Sequence, residues 1–153
     1  MNLWTPTTYL CISFILIACS SKIEEKAASE QSQLKYSELS YGLKIDMDFK
    51  DALEKLQRSD LKKIDKAYQG KMDNLDFTLH LSGNKKLSSW KITWEGEKEA
   101  ILSFSKRLVN VLETEFKELQ GENGYYACRY TSGNAQALLE LTIWENKIEL
   151  INR

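Results

Sequence analysis

The chain has 153 residues, a formal net charge of -1, 42% hydrophobic and 28% charged residues. That suffices for one domain with a core, is too short for two ordinary domains, and is too apolar for a wholly disordered chain. The near-neutral balance excludes a non-specific nucleic-acid binder, and one His with three Cys leaves little material for a metal or nucleophile site.

Taken from the N-terminus, residues 1–18 contain no Lys, Arg, Asp or Glu, so every charged side chain lies after Ala18. The apolar run Tyr9–Ala18 would span about 15 Å as a helix. A bilayer core needs about 20 apolar residues, so the run is too short for a membrane span and has the length of a signal-peptide core. Its flank is atypical, because only the α-amino group supplies positive charge there.

The run ends in Leu16-Ile17-Ala18-Cys19. This tetrapeptide resembles the lipobox of bacterial lipoproteins. The resemblance covers only the first 20 or so residues and implies nothing about the fold downstream. It implies a diacylglycerol on the Cys19 thiol, cleavage between Ala18 and Cys19, and frequent acylation of the new amino group. It also implies a place in the bacterial cell envelope, held to membrane lipid through Cys19. Ser20 stands where many inner-membrane lipoproteins carry Asp, which favours an outer membrane where the cell has one. Two or three acyl chains, at about 0.8 kcal/mol per buried CH₂, would make that attachment essentially permanent. An ordinary secretory signal with a chance Cys, or an uncleaved short anchor, are the alternatives.

In the processed chain only Cys128 would keep a free thiol, which excludes an intramolecular disulfide. A buried small hydrophobe is the expected role, against a reactive or partner-linked thiol. Residues 19–40 are polar and lack aromatics before Tyr36, and read as a lipidated Cys with a flexible tether. A single α+β domain is expected over 41–153.

Within that domain, Leu43, Ile45 and Met47 alternate with Lys44, Asp46 and Asp48, as in a short strand or extended lead-in. Phe49, Leu53, Leu56, Ile64 and Tyr68 recur at helical spacing and predict a helix or helix-turn-helix over 49–68, ended near Gly70. Ser59-Asp60 would cap its second part, and Lys62, Lys63 and Lys66 would form a basic face beside Asp60 and Asp65. Leu75, Phe77, Leu79 and Leu81 alternate with polar residues, Ser82-Gly83-Asn84 turns the chain, and Trp90, Ile92 and Trp94 alternate again. This is a half-buried hairpin. Ile101, Phe104, Leu108, Val111, Leu112, Phe116 and Leu119 predict a long helix over about 97–119, stopped at Gly121. Tyr126, Cys128 and Tyr130 mark a third strand, and Ser132-Gly133-Asn134 a turn. Leu139, Leu141 and Ile143 mark a fourth, with a helical start at Ala135–Leu138 as the alternative, and a short last strand would pass through Ile148 and Leu150.

The expected fold is therefore an antiparallel sheet of four to five strands with two main helical segments on one face. Ser-Gly-Asn at 82 and 132, and Trp-Glu at 94 and 144, share an offset of 50 residues. That offset points to two tandem αββ units, against the alternative that turns recruit these residues by chance.

Chemistry is sparse. His80 is the only imidazole and sits on the polar side of a strand, so catalysis would need partners brought from afar. No Gly-rich phosphate loop or zinc spacing is present. Asp46 with Asp48, Asp73 with Asp76, and Glu113 with Glu115 could in principle serve a carboxylate hydrolase, yet each also fits a solvated face. Phe49-Lys50 breaks the spacing a calcium loop would need. No catalytic residue, metal site or cofactor is assigned, apart from the acyl lipid on Cys19. Of the strand aromatics, Trp90, Trp94 and Tyr126 are expected in the core. Tyr125 and Trp144 fall off the alternation and are the candidates for an exposed binding face. The expected function is non-enzymatic contact with an envelope protein, as accessory or as inhibitor or immunity-type partner. A small-molecule or lipid-binding module is the alternative.

Overall fold

The computed structural model describes residues 34–153. Ala18, Cys19 and the rest of the lipobox lie outside the described residues. The described chain forms helix α1 (Tyr36–Leu39), helix α2 (Phe49–Gln57), strands β1 (Lys62–Ile64), β2 (Ala67–Met72), β3 (Leu75–Gly83) and β4 (Leu87–Glu95), helix α3 (Lys98–Glu115), and strands β5 (Gln120–Glu122), β6 (Tyr125–Ser132), β7 (Ala135–Ile143) and β8 (Lys147–Asn152). All eight strands join one sheet in the order β1-β2-β3-β4-β8-β7-β6-β5, and every pairing is antiparallel.

Local chemistry explains the elements. Asp48 caps α2 by accepting from the Lys50 N–H at 2.9 Å, satisfying one of the donors a helix start leaves unpaired. The α2 stripe buries Ala52 and Leu56. Helix α3 buries Ile101, Phe104, Leu108 and Leu112, and carries Glu99 in the first turn, where the helix dipole favours an anion. It ends at Phe116, whose backbone has left helical geometry. The β2–β3 and β5–β6 hairpins turn on Asp73-Asn74 and Asn123-Gly124, all four with positive φ, as two-residue hairpin loops demand.

Alternation divides the sheet into two faces. Tyr68, Leu75, Phe77, Leu79, Trp90, Ile92, Trp94, Leu139, Leu141, Ile148 and Leu150 point into the core, against the stripes of the helices. Intervening positions such as Thr78, His80, Lys91, Thr93, Glu140 and Thr142 occupy the opposite, polar face. Leu39 and Ser40, at the end of the segment read as tether, are buried in the core.

The expectation of a four- to five-stranded α+β sheet is overturned by this single eight-stranded sheet with few helices. The error begins after Gln57. Residues 62–64 and 67–72 are strands where a second helical part was expected, so Lys62, Lys63 and Lys66 form no helix face. Ser59 caps no helix; its hydroxyl donates to the Leu56 carbonyl at 2.6 Å and closes α2. Ile64 and Tyr68 have helical spacing by coincidence: Ile64 is exposed on an edge strand and Tyr68 is buried on its neighbour. The long helix stops at Glu115, and Gly121 lies inside β5. Residues 43–47 form no strand and turn at 45–46, with an isolated bridge from Asp48 to Lys86, and β7 begins at Ala135 without a helical start.

The tandem αββ reading falls as well. Ser82-Gly83-Asn84 lies at the β3–β4 turn, whereas Ser132-Gly133-Asn134 lies at the β6–β7 turn, and these are not corresponding places in the strand order. The order is symmetric about the β4–β8 pair, so that β2–β3 corresponds to β6–β7. In that correspondence buried Tyr68 matches buried Cys128, and the turn after Met72 matches the turn after Ser132.

Candidate functional site

Tyr125 opens β6 and stands directly across from Thr142 on β7. Trp144 follows two residues after Thr142 and so lies diagonal to Tyr125, a spacing of about 7–8 Å between strands. Both rings are on the polar face, 48% and 43% exposed, among the few large apolar side chains left open to solvent. Both aromatics singled out by their alternation are exposed, at the end of the sheet where β6 begins and β7 ends.

Their surroundings fix them. The Lys147 ammonium sits 4.3 Å from the Trp144 ring centroid and 3.2 Å from a Glu149 carboxylate oxygen. A cation over an indole face contributes about 0.5–1 kcal/mol at an exposed site. The Tyr125 hydroxyl donates to Glu140 Oε1 at 2.9 Å, and Arg153 holds Glu140 Oε2 at 2.8 Å. That hydrogen bond to Glu140 pushes the Tyr125 phenol pKa up, so the ring presents a neutral hydroxyl. Two pre-positioned aromatics with paired charges around them make an amphipathic surface, the composition favoured where proteins meet.

Across the β4–β8 pair the same face holds a hollow of about 410 Å³ whose lining includes Gln69, Asp76, Thr78, Thr93 and Glu95. Asp76 and Glu95 are directly opposed across β3 and β4. Like charges so placed repel; Lys71 lies 3.3 Å from Asp76, whereas Lys147, the register partner of Glu95, makes its ion pair with Glu149. This row was not legible in the sequence, because it depends on which strands pair.

The remaining candidates have structural places. His80 is exposed between Ala67 and Lys91, so its cross-strand neighbours supply neither acid nor nucleophile. Asp48 is spent as a helix cap, and Asp73 is paired with Arg107. Glu113 and Glu115 lie on the exposed side of α3. Cys128 is buried, and burial, with a smaller contribution from the Glu118 charge, raises its thiol pKa. No group of three or more His, Cys, Asp or Glu side chains capable of holding a metal occurs among the described residues. No helix among them is long and apolar enough to cross a membrane.

A polar cluster that sequence reasoning missed lies under the covered face. Asn152, fully buried, donates from Nδ2 to the Tyr130 hydroxyl at 2.6 Å and the Tyr36 hydroxyl at 3.2 Å. Phe116 meets both tyrosine rings edge-on, at 4.8 and 4.9 Å between centroids. Burial pushes the Tyr36 phenol pKa far above its usual value. The signal was available: Asn152 continues the inward series of Ile148 and Leu150. The cluster ties helix α1 to the sheet.

Compared with known proteins, the chain matches no family model, no curated protein and no solved structure.

Proposed function

We propose that the chain is a membrane-anchored bacterial envelope lipoprotein, non-enzymatic, that works by protein–protein contact through the polar face of its sheet. The lipobox Leu16-Ile17-Ala18-Cys19 supports the anchor, with Ala18 and Cys19 flanking the cut and acyl lipid on Cys19. Ser20 favours the outer membrane where the cell has one. The observation that carries the contact reading is the exposure of Tyr125 and Trp144, held by Glu140 and Lys147 respectively. Large aromatics ordered before binding lose little entropy on association and serve as anchors for a partner. Accessory and inhibitor or immunity-type roles both fit such a surface.

The test is crosslinking in intact cells followed by mass spectrometry of the captured partner. A stoichiometric envelope protein should be captured by the wild type, and its capture should drop at least tenfold in Tyr125→Ala/Trp144→Ala. Equal capture by that variant would refute the assigned face. Cys19→Ser should abolish acylation and membrane retention; unchanged maturation and fractionation would refute the anchor. The alternative of a small-ligand module draws on the hollow beside Asp76 and Glu95, whose polar lining suits a polar molecule better than an acyl chain. A small molecule extracted with the purified protein, and lost in Thr78→Val/Thr93→Val, would favour it.

A further inference from the structure

Two strands, β1 and β5, end the sheet, and each offers an unpaired backbone edge. Short, charged edges normally keep proteins apart. Here the two edges carry opposite charge. Strand β1 presents Lys62 and Lys63, with Asp65 and Lys66 in the turn beyond it, and β5 presents Glu122, with Lys117 and Glu118 in the turn before it; all seven side chains are exposed, and the lysines outnumber the acid at one edge as the acids outnumber the lysine at the other. None of the seven forms an ion pair among the described residues. Pairing β1 with β1, or β5 with β5, sets like charges against each other, whereas β1 against β5 sets lysines against glutamates.

Direction and face agree with that pairing. Every neighbour in the eight-stranded sheet is antiparallel, so β1 and β5 run in opposite senses. A second copy placed beside the first in the same orientation therefore meets it through an antiparallel β5–β1 ladder. Lys62 and Ile64 share the polar face with their partners Gln69 and Ala67, and Gln120 and Glu122 share it with Ala127 and Tyr125. One register places Lys62 against Glu122 and Ile64 against Gln120. It sets Lys63 opposite Gly121, which has no side chain to obstruct it. Ile64, 37% exposed, loses solvent in the same contact.

We infer that copies of this chain associate head to tail, β5 of one against β1 of the next, extending the sheet through a Lys62–Glu122 pair. The inference is independent of the proposed partner face. The contact is heterologous and does not close on itself, so it makes open rows of copies rather than a dimer. Two three-residue strands bury less than the roughly 1,000 Å² of a stable interface, so association is weak and needs high local concentration.

The test uses the full chain in detergent, as an equal mixture of ¹⁴N- and ¹⁵N-labelled protein, with a zero-length carbodiimide crosslinker that joins only touching lysines and carboxylates. A mixed-isotope Lys62–Glu122 link is expected, with yield rising with protein concentration. Yield should fall severalfold at 0.5 M salt, where the screening length is about 4 Å. Lys62→Glu/Lys66→Glu and Glu118→Lys/Glu122→Lys should each sediment as monomers, and equal mixing of these two variants should restore association, because the unchanged β5 edge of the first meets the unchanged β1 edge of the second. All four changes in one chain should restore association. Absence of mixed-isotope links up to the solubility limit would overturn the inference. So would association of either same-sign variant alone, or monomeric behaviour of the fourfold variant with its circular dichroism intact.

Discussion

Phe104 is the side chain on which the packing of α3 can be tested most sharply. Its ring is 1% exposed, its centroid lies 5.3 Å from that of Trp94, and the Arg107 guanidinium stands 5.8 Å from it. Truncation to alanine removes a buried ring and leaves a cavity bounded by the Trp94 indole, which is itself fully buried and cannot swing in freely. Such losses cost about 3–5 kcal/mol. For a domain of this size each kcal/mol lowers the melting temperature by roughly 4 °C, so Phe104→Ala should melt about 12–20 °C lower. Leu102, two residues away and 53% exposed, provides the control, and Leu102→Ala should stay within about 0.5 kcal/mol of wild type. A double-mutant cycle with Trp94→Leu should show about 0.5–1.5 kcal/mol of coupling for the aromatic pair. The assay is urea unfolding followed by circular dichroism at 222 nm. A cost below about 0.5 kcal/mol for Phe104→Ala, or a larger cost for Leu102→Ala, would mean that the buried side of α3 is misassigned and the reasoning fails.

Two further outcomes follow from buried titratable groups. Burial lifts the Tyr41 phenol to about 12 from 10.0, and lifts Tyr36 further in the same direction. Both favour the protonated folded state, so their contribution is intact below pH 10 and is lost as pH rises from 10 towards 12. The urea midpoint should fall across that window, and Tyr41→Phe should flatten the fall; a midpoint constant from pH 9 to 11.5 would contradict it. Cys128 is buried with its thiol pKa raised, so at pH 8 it should react with a thiol reagent no faster than the domain opens, and at the rate of a free thiol in denaturant. Peptide mapping of the modified site reads this directly, and free-thiol reactivity in the folded protein would refute it.

Some of the candidate site was legible before the fold. Period-two alternation marks β3, β4 and β6, and it separates inward Trp90 and Trp94 from outward Tyr125 and Trp144. The companions of that aromatic pair were not legible. Glu140 and Arg153 meet Tyr125 only because β7 lies between β6 and β8, and Lys147 reaches Trp144 only across the β7–β8 turn. The strands β1 and β5 were missed because both are three residues long and wholly exposed, so they carry no alternation. A local signal did exist for β5: Asn123-Gly124 is the dipeptide that a two-residue hairpin loop favours, and both residues have positive φ. At 62–72 helical and strand spacings competed, and Asp65, which takes a positive φ between β1 and β2, let the chain reverse where a helix would have continued.

The sequence by itself determined what depends on nearest neighbours. It set the faces of the long helix and central strands, the resemblance of the first 20 residues to a lipoprotein signal, and the scarcity of catalytic groups, because periodicity and short motifs act within a few residues. Tertiary structure decided how many strands share one sheet, that β4 lies beside β8, that Asp76 faces Glu95, and that Asn152 joins Tyr36 to Tyr130 beneath it. Those pairings join residues up to 116 positions apart, for Tyr36 and Asn152. They are selected by which edges and surfaces bury the most apolar area together, a property of the whole chain that no short window contains.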